Sequence, residues 1–73
     1  MQTVRLAIEK RKKGKVVTVL RGLSASGNDL PSLLARLKDR CGAGGTLDGD
    51  TLEIQGNHVD RVRDLLQEIG YRV

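Results

Sequence analysis

The sequence predicts a two-layer α/β sandwich in which two helices lie on one face of a four- or five-stranded mixed sheet. Three observations carry this. Apolar residues alternate with polar ones near the start of the chain and again around residues 47–54, as in half-buried strands, and two stretches, 30–41 and 57–69, instead place them three and four residues apart. The resulting order is β-β-α-β-β-α with room for a final strand, and two amphipathic helices can cover only one face of such a sheet. At 73 residues the chain is read as a single domain, residues 1–73, with a small core.

Val4, Leu6 and Ile8 alternate with Thr3, Arg5, Ala7 and Glu9, so residues 3–9 are expected to form a strand with one buried face. Val16 to Leu20 is apolar or β-branched on both faces, the pattern of a more central strand. Between them Lys10 to Lys15 forms a hairpin tip, with Gly14 able to take positive φ. Leu23 to Asn28 is a loop. A helix follows from Leu30 to Cys41, capped by Asn28 or Asp29, with Pro31 in its opening turn. Leu30, Leu33, Leu34, Leu37 and Cys41 form its core stripe, and Arg36 and Arg40 lie on the adjoining face with Lys38 nearby.

Gly42 to Gly45 end that helix. A two-residue turn at Asp48-Gly49, pairing Leu47 with Asp50 and Thr46 with Thr51, puts Leu47, Leu52 and Ile54 on one face. The second helix is expected to start near Asn57 as N-cap, with Asp60 three residues on, and to bury Val59, Val62, Leu65, Leu66 and Ile69 before Gly70 stops it. Tyr71 to Val73 start a last short strand.

Charge is the strongest functional signal. Six basic and no acidic residues lie between positions 10 and 21. Residues 1–41 hold ten Lys/Arg against three Asp/Glu, whereas residues 42–73 hold three against six, so the polarity changes sign along the chain. A dense cationic tip suits a polyanion, nucleic-acid phosphate above all. Tyr71 is the sole aromatic residue, which argues against a base-stacking platform and for binding through phosphate contacts and shape.

Catalysis has little to work with. His58 and Cys41 are each the only residue of their type, one in a helix's first turn and the other completing an apolar stripe, so no catalytic residue, metal site or cofactor is expected. Asp60, Asp64 and Glu68 recur every four residues and read as a solvated face or a contact for a basic partner. The glycines at 42–45 leave a helix rather than lead into one, so they read as a C-cap and tight connection, not a phosphate loop. A lone cysteine, no secretory leader and no long apolar run fit a cytoplasmic protein that does not bind membranes.

Three passages coincide with one family: Arg11 to Lys15 (Arg-Lys-Lys-Gly-Lys), Leu37 to Thr46 (Leu-Lys-x-Arg-Cys-Gly-x-Gly-Gly-Thr), and Ile54 to Gly56 (Ile-Gln-Gly) opening a helix that ends Ile69-Gly70. The chain resembles the Sui-type, eukaryotic-type translation initiation factor one family over nearly all of residues 3–73, and looks most like its bacterial YciH-like branch. The resemblance implies a non-enzymatic, monomeric factor that binds the small ribosomal subunit near the decoding region and influences start-site selection. Its partners would be rRNA together with initiator tRNA and mRNA. Arg11, Lys12, Lys13, Gly14 and Lys15 would then be the rRNA-facing loop. Lys38 and Arg40 would match basic positions on the rRNA-facing side of the first helix, and Arg36, four residues before Arg40 on the same face, is counted with them as an RNA- or ribosome-binding residue. Leu30, Pro31 and Ser32 stand where relatives often carry lysines, and Asp39 interrupts the basic row, which puts the weight on the loop. A general RNA-binding protein, or a protein-interaction module using the acidic second helix, are the competing readings.

Overall fold

The computed structural model describes residues 3–24 and 29–73. Strands β1 (Arg5–Lys10), β2 (Val16–Arg21), β3 (Gly45–Asp48) and β4 (Thr51–Gln55) form one sheet in the order β1-β2-β4-β3, and every pairing among them is antiparallel. Helix α1 (Leu30–Cys41) lies against β3 and β4, and α2 (Val59–Ile69) against β1 and α1. A parallel bridge between Thr3 and Arg72 begins a fifth strand position beside β1, with the Val4 N–H donating to the Arg72 carbonyl at 2.8 Å. The expected two-layer α/β sandwich is therefore the observed architecture.

The core lies between the helices and one sheet face. Leu20, Leu37, Leu52, Ile54, Val62 and Leu66 are wholly or almost wholly inaccessible, with Val4, Leu30, Leu33 and Leu65 packed around them. Three residues of the expected apolar set escape: Ile8 is 40% exposed and Ile69 37%, and Val59 is half-buried outside the core cluster. Ile8 sits near the hairpin end of the outer strand β1, and Ile69 in the last turn of α2, so each extends beyond the layer opposite.

Element boundaries follow local chemistry. Asp29 caps α1 by accepting from the Ser32 N–H at 3.2 Å, and the other candidate cap, Asn28, lies outside the described residues with the rest of residues 25–28. At the far end Gly42 adopts φ +61° while its N–H and that of Ala43 bond back to the carbonyls of Asp39 and Lys38, the reversal that closes a helix. Helix α2 starts one residue later than expected, with His58 rather than Asn57 at its N-cap and no side-chain cap bond.

The β3–β4 turn is also displaced by one residue. Asp48 pairs with Thr51 and Leu47 with Leu52, so the turn residues are Gly49-Asp50 rather than Asp48-Gly49. Gly49 takes φ +60° and Asp50 does not take a positive φ, which is the pattern of a turn needing glycine first; a left-handed pair would have used Asp-Gly. The face assignment survives because both registers pair an odd with an even residue number. Leu47, Leu52 and Ile54 still share one side.

One buried polar side chain ties the layers together. Thr18, fully inaccessible in β2, donates its hydroxyl to the Gly56 carbonyl at 2.8 Å and accepts the His58 N–H at 2.9 Å. It thereby satisfies an orphan N–H at the start of α2 and fixes the β4–α2 junction to the central strand.

The second sheet face carries no helix, yet Val19 is inaccessible and Val17 only 8% exposed on it. Long charged side chains roof them. Arg11 reaches Glu9 at 2.6 Å and Glu53 at 3.0 Å, and Arg21 reaches the other oxygen of Glu9 at 2.7 Å. Ion pairs this exposed are screened by solvent and contribute little by themselves. Burying the two valines under the aliphatic stems is worth about 1.5–3 kcal/mol per side chain, so covering, more than Coulomb attraction, is what the chain gains here.

Two outcomes follow. Thr18→Val keeps the shape but leaves the His58 N–H and the Gly56 carbonyl without their partner, and should cost about 1–3 kcal/mol. A urea midpoint within error of wild type would show that the junction does not depend on the hydroxyl. Hydrogen bonds from Arg11 and then Arg21 hold the Glu9 carboxyl below its ordinary value of 4.5. A depressed folded pKa gives stability that is present above the unfolded value and is lost as pH falls through the folded one. The stability difference between wild type and Glu9→Gln should therefore be flat near neutrality and shrink below about pH 4. A pH-independent difference would sink the assignment of that carboxylate as the hub of the roof.

Candidate nucleic-acid interface

Three connections meet at one end of the sheet. The β1–β2 tip joins the Gly42–Gly44 connection and the β4–α2 junction, because the Gly56 N–H donates to the Val16 carbonyl at 2.7 Å and the Gln55 N–H to the Gly44 carbonyl at 2.8 Å. The tip itself is a tight turn over Lys12–Gly14, closed by the Arg11 N–H on the Lys15 carbonyl at 2.6 Å. Gly14 takes φ +73° as expected, and Lys13 precedes it at φ +64°. A left-handed conformation costs a non-glycine residue about 1–2 kcal/mol, so a Lys in that position is held against its local preference.

Lys12, Lys13 and Lys15 are exposed, and among the described residues none of them makes an ion pair or side-chain hydrogen bond. Arg11 differs. Two carboxylates already hold its guanidinium against the sheet, so within the cluster it anchors the tip while the lysines remain available.

The helix residues divide as well. Lys38 is exposed in the last turn of α1, one turn past Leu34, at the end the hairpin occupies. Arg40 is committed to Glu68 of α2 at 2.8 Å, joining the two helices. Arg36 lies beside Asp29, Ser32, Ile69 and Tyr71, where α1 meets the end of α2, on the same helix face as Arg40. The structure thus places Arg11, Lys12, Lys13, Gly14 and Lys15 together at the tip, Lys38 in the last turn of α1, Arg40 paired with Glu68, and Arg36 one turn before Arg40.

A groove of about 430 Å³ opens on the uncovered sheet face at the root of the hairpin. Val16 and Val17 form its floor with Gly56, Lys15 stands at its rim, and Thr46 and Gln55 line it beside the Arg11–Glu53 pair. Sequence reasoning missed Thr46, Glu53 and Gln55 as site residues. Their alternation gave a face, but only the β2–β4 and β3–β4 registers put them beside the hairpin.

Among the described residues no group of three or more His, Cys, Asp or Glu is placed to hold a metal ion. Cys41 is buried, and desolvation raises its thiol pKa, which disfavours the reactive thiolate. No helix of the described residues is long and apolar enough to cross a membrane.

Residues 1–72 match the family described as Translation initiation factor SUI1. The protein translation factor SUI1 homolog of Sulfurisphaera tokodaii is 41% identical over 70 residues, covering 96% of this chain and 70% of that protein. Its counterpart in Methanoregula boonei is 43% identical over 70 residues, covering 96% of this chain and 69% of its own length. That of Methanocaldococcus jannaschii is 37% identical over 70 residues, covering 96% and 68%.

These relatives are archaeal, which corrects the expected bacterial YciH-like branch. The motifs that suggested it serve the shared fold. A Cβ on Gly45 would come within 2.6 Å of the Glu53 carbonyl oxygen, and Gly56 sits at φ +95° against the His58 ring. Glycines that the backbone demands report the fold rather than a branch of the family. With the hairpin, the glycine passage and Ile-Gln-Gly assembled at one end of the expected sandwich, and with archaeal relatives matched over nearly the whole chain, this protein belongs to the translation initiation factor SUI1 family.

Proposed function

We propose that the protein binds the small ribosomal subunit near its decoding and P site through the hairpin tip, and there influences start-site selection. The observation that carries this is the exposure of Lys12, Lys13 and Lys15 without ion-pair partners, on a tip braced by Arg11. Cations already neutralised by carboxylates gain little from phosphate, whereas free lysines on a fixed turn exchange counterions for it directly. Lys38 extends the same surface, and Arg40 can join it by exchanging Glu68 for an rRNA phosphate. Arg36, one turn before Arg40 and beside Ile69, lies farther from the tip along α1.

Phosphate contacts position a protein without reading sequence. Start-site discrimination then arises from where the tip sits, by steric and electrostatic conflict with a misplaced initiator tRNA or mRNA. No bond is made or broken, so the role is that of a binding factor, not an enzyme, and it needs no cofactor.

Lys12→Glu with Lys13→Glu should leave the fold intact and weaken co-sedimentation with small subunits tenfold or more, in about the range expected when charge-assisted bonds to phosphate are removed. The log-log salt dependence of binding should flatten by about 0.7–0.9 for each phosphate released. Asp60→Lys with Asp64→Lys on α2 is the control and should bind as wild type. If instead the α2 variant no longer binds the subunit and the hairpin variant still does, the tip is not the ribosome-facing surface.

A further inference from the structure

We propose that the groove at the root of the hairpin receives one unpaired nucleotide of the RNA whose backbone the tip holds; the inference rests on the RNA-binding reading and assigns a second, base-contacting site beside the phosphate-contacting one. Its volume of about 430 Å³ falls within the range of about 300–1,000 Å³ in which small ligands are held.

The lining has the composition a base requires. Val17 has its side chain on this face beneath the stem of Arg11, and with Gly56 and the backbone of Val16 it forms the floor on which a ring could rest. Around it stand the Gln55 amide, which both donates and accepts, the Thr46 hydroxyl, and the Glu53 carboxylate. Arg11 occupies Oε2 of Glu53, and among the described residues Oε1 has no partner, leaving an acceptor for an exocyclic amine. Lys15 stands at the rim, where the phosphate of an inserted nucleotide would lie, next to the free Lys12 and Lys13.

Thr46 and Gln55 have no evident duty in the fold. Both are exposed, and among the described residues neither side chain makes a hydrogen bond. Yet they end one sequence motif and centre another, Gly-Gly-Thr and Ile-Gln-Gly, whose other members have structural work: Gly45 admits the Glu53 backbone and Ile54 is core. An extended peptide fits the groove less well. The floor is the β2–β4 pair, the two inner strands of the sheet, whose backbone groups are spent on the ladder and offer no edge to extend.

The test compares three RNAs by NMR on isotope-labelled full-length protein: a mixed-sequence octaribonucleotide unable to self-pair, a duplex with the same number of phosphates, and nucleoside monophosphates. The single strand should shift the Gln55 side-chain amide, Thr46 and the Val17 methyls together with the lysines of the tip, whereas the duplex should shift the tip alone. Thr46→Val with Gln55→Ala should then bind the single strand about three- to tenfold more weakly, keep its duplex affinity and keep its salt slope, because only neutral contacts are removed. Groove signals that move equally with duplex, or not at all while the tip responds, overturn the proposal. Monophosphates that fill the groove at the concentration of the single strand would make it a free-nucleotide site and overturn it too. Silence of the tip lysines with every RNA is a different result, and it falls on the hairpin reading instead.

Discussion

The structure depends on how a sheet with helices on only one side closes its other side. Two helices exhaust the long apolar segments of this chain, yet the inner strand β2 presents Val17 and Val19 to the uncovered face. Arg11, Glu9, Arg21 and Glu53 close it with charged heads at the surface and aliphatic stems beneath. The arrangement also commits Arg11 to Glu9 and Glu53, while Lys12, Lys13 and Lys15 stay without ion-pair partners among the described residues.

Much of the fold was legible because burial imposes period. The 3.6-residue stripe of Leu30 to Cys41 gave α1 its observed limits, and the two-sided apolar run Val16 to Leu20 placed β2 inside the sheet. What was misread is set by local backbone geometry. Asp-Gly and Gly-Asp turns differ only in which residue takes positive φ, and the flanking sequence supports both. The start of α2 was misplaced for a related reason: Asn57 is a good cap by composition, but the bond that ties this junction comes from Thr18, nearly forty residues earlier in the chain.

The candidate site was legible in its charge and opaque in its pairing. A run of basic residues announces a cationic surface, but nothing in the run says that Arg11 faces Glu53, 42 positions away, or that Arg40 faces Glu68. Arg36 stands one turn, about 5.4 Å, before Arg40 on α1, and its neighbours Ile69 and Tyr71 come from a later part of the chain that the run of charges does not announce. The polar groove residues were invisible for the same reason: Thr46 and Gln55 look like ordinary outward-facing strand positions until two strand registers set them beside the hairpin.

The parallel bridge of Thr3 to Arg72 has a bearing on how this molecule tolerates attachment. Strand β1 runs from that bridge toward the hairpin and α2 runs back from the hairpin toward it, so both ends of the described chain emerge together at the pole away from the lysines, on a body 36 Å long. Extra polypeptide, a fluorophore or a surface tether joined at either terminus starts from that pole.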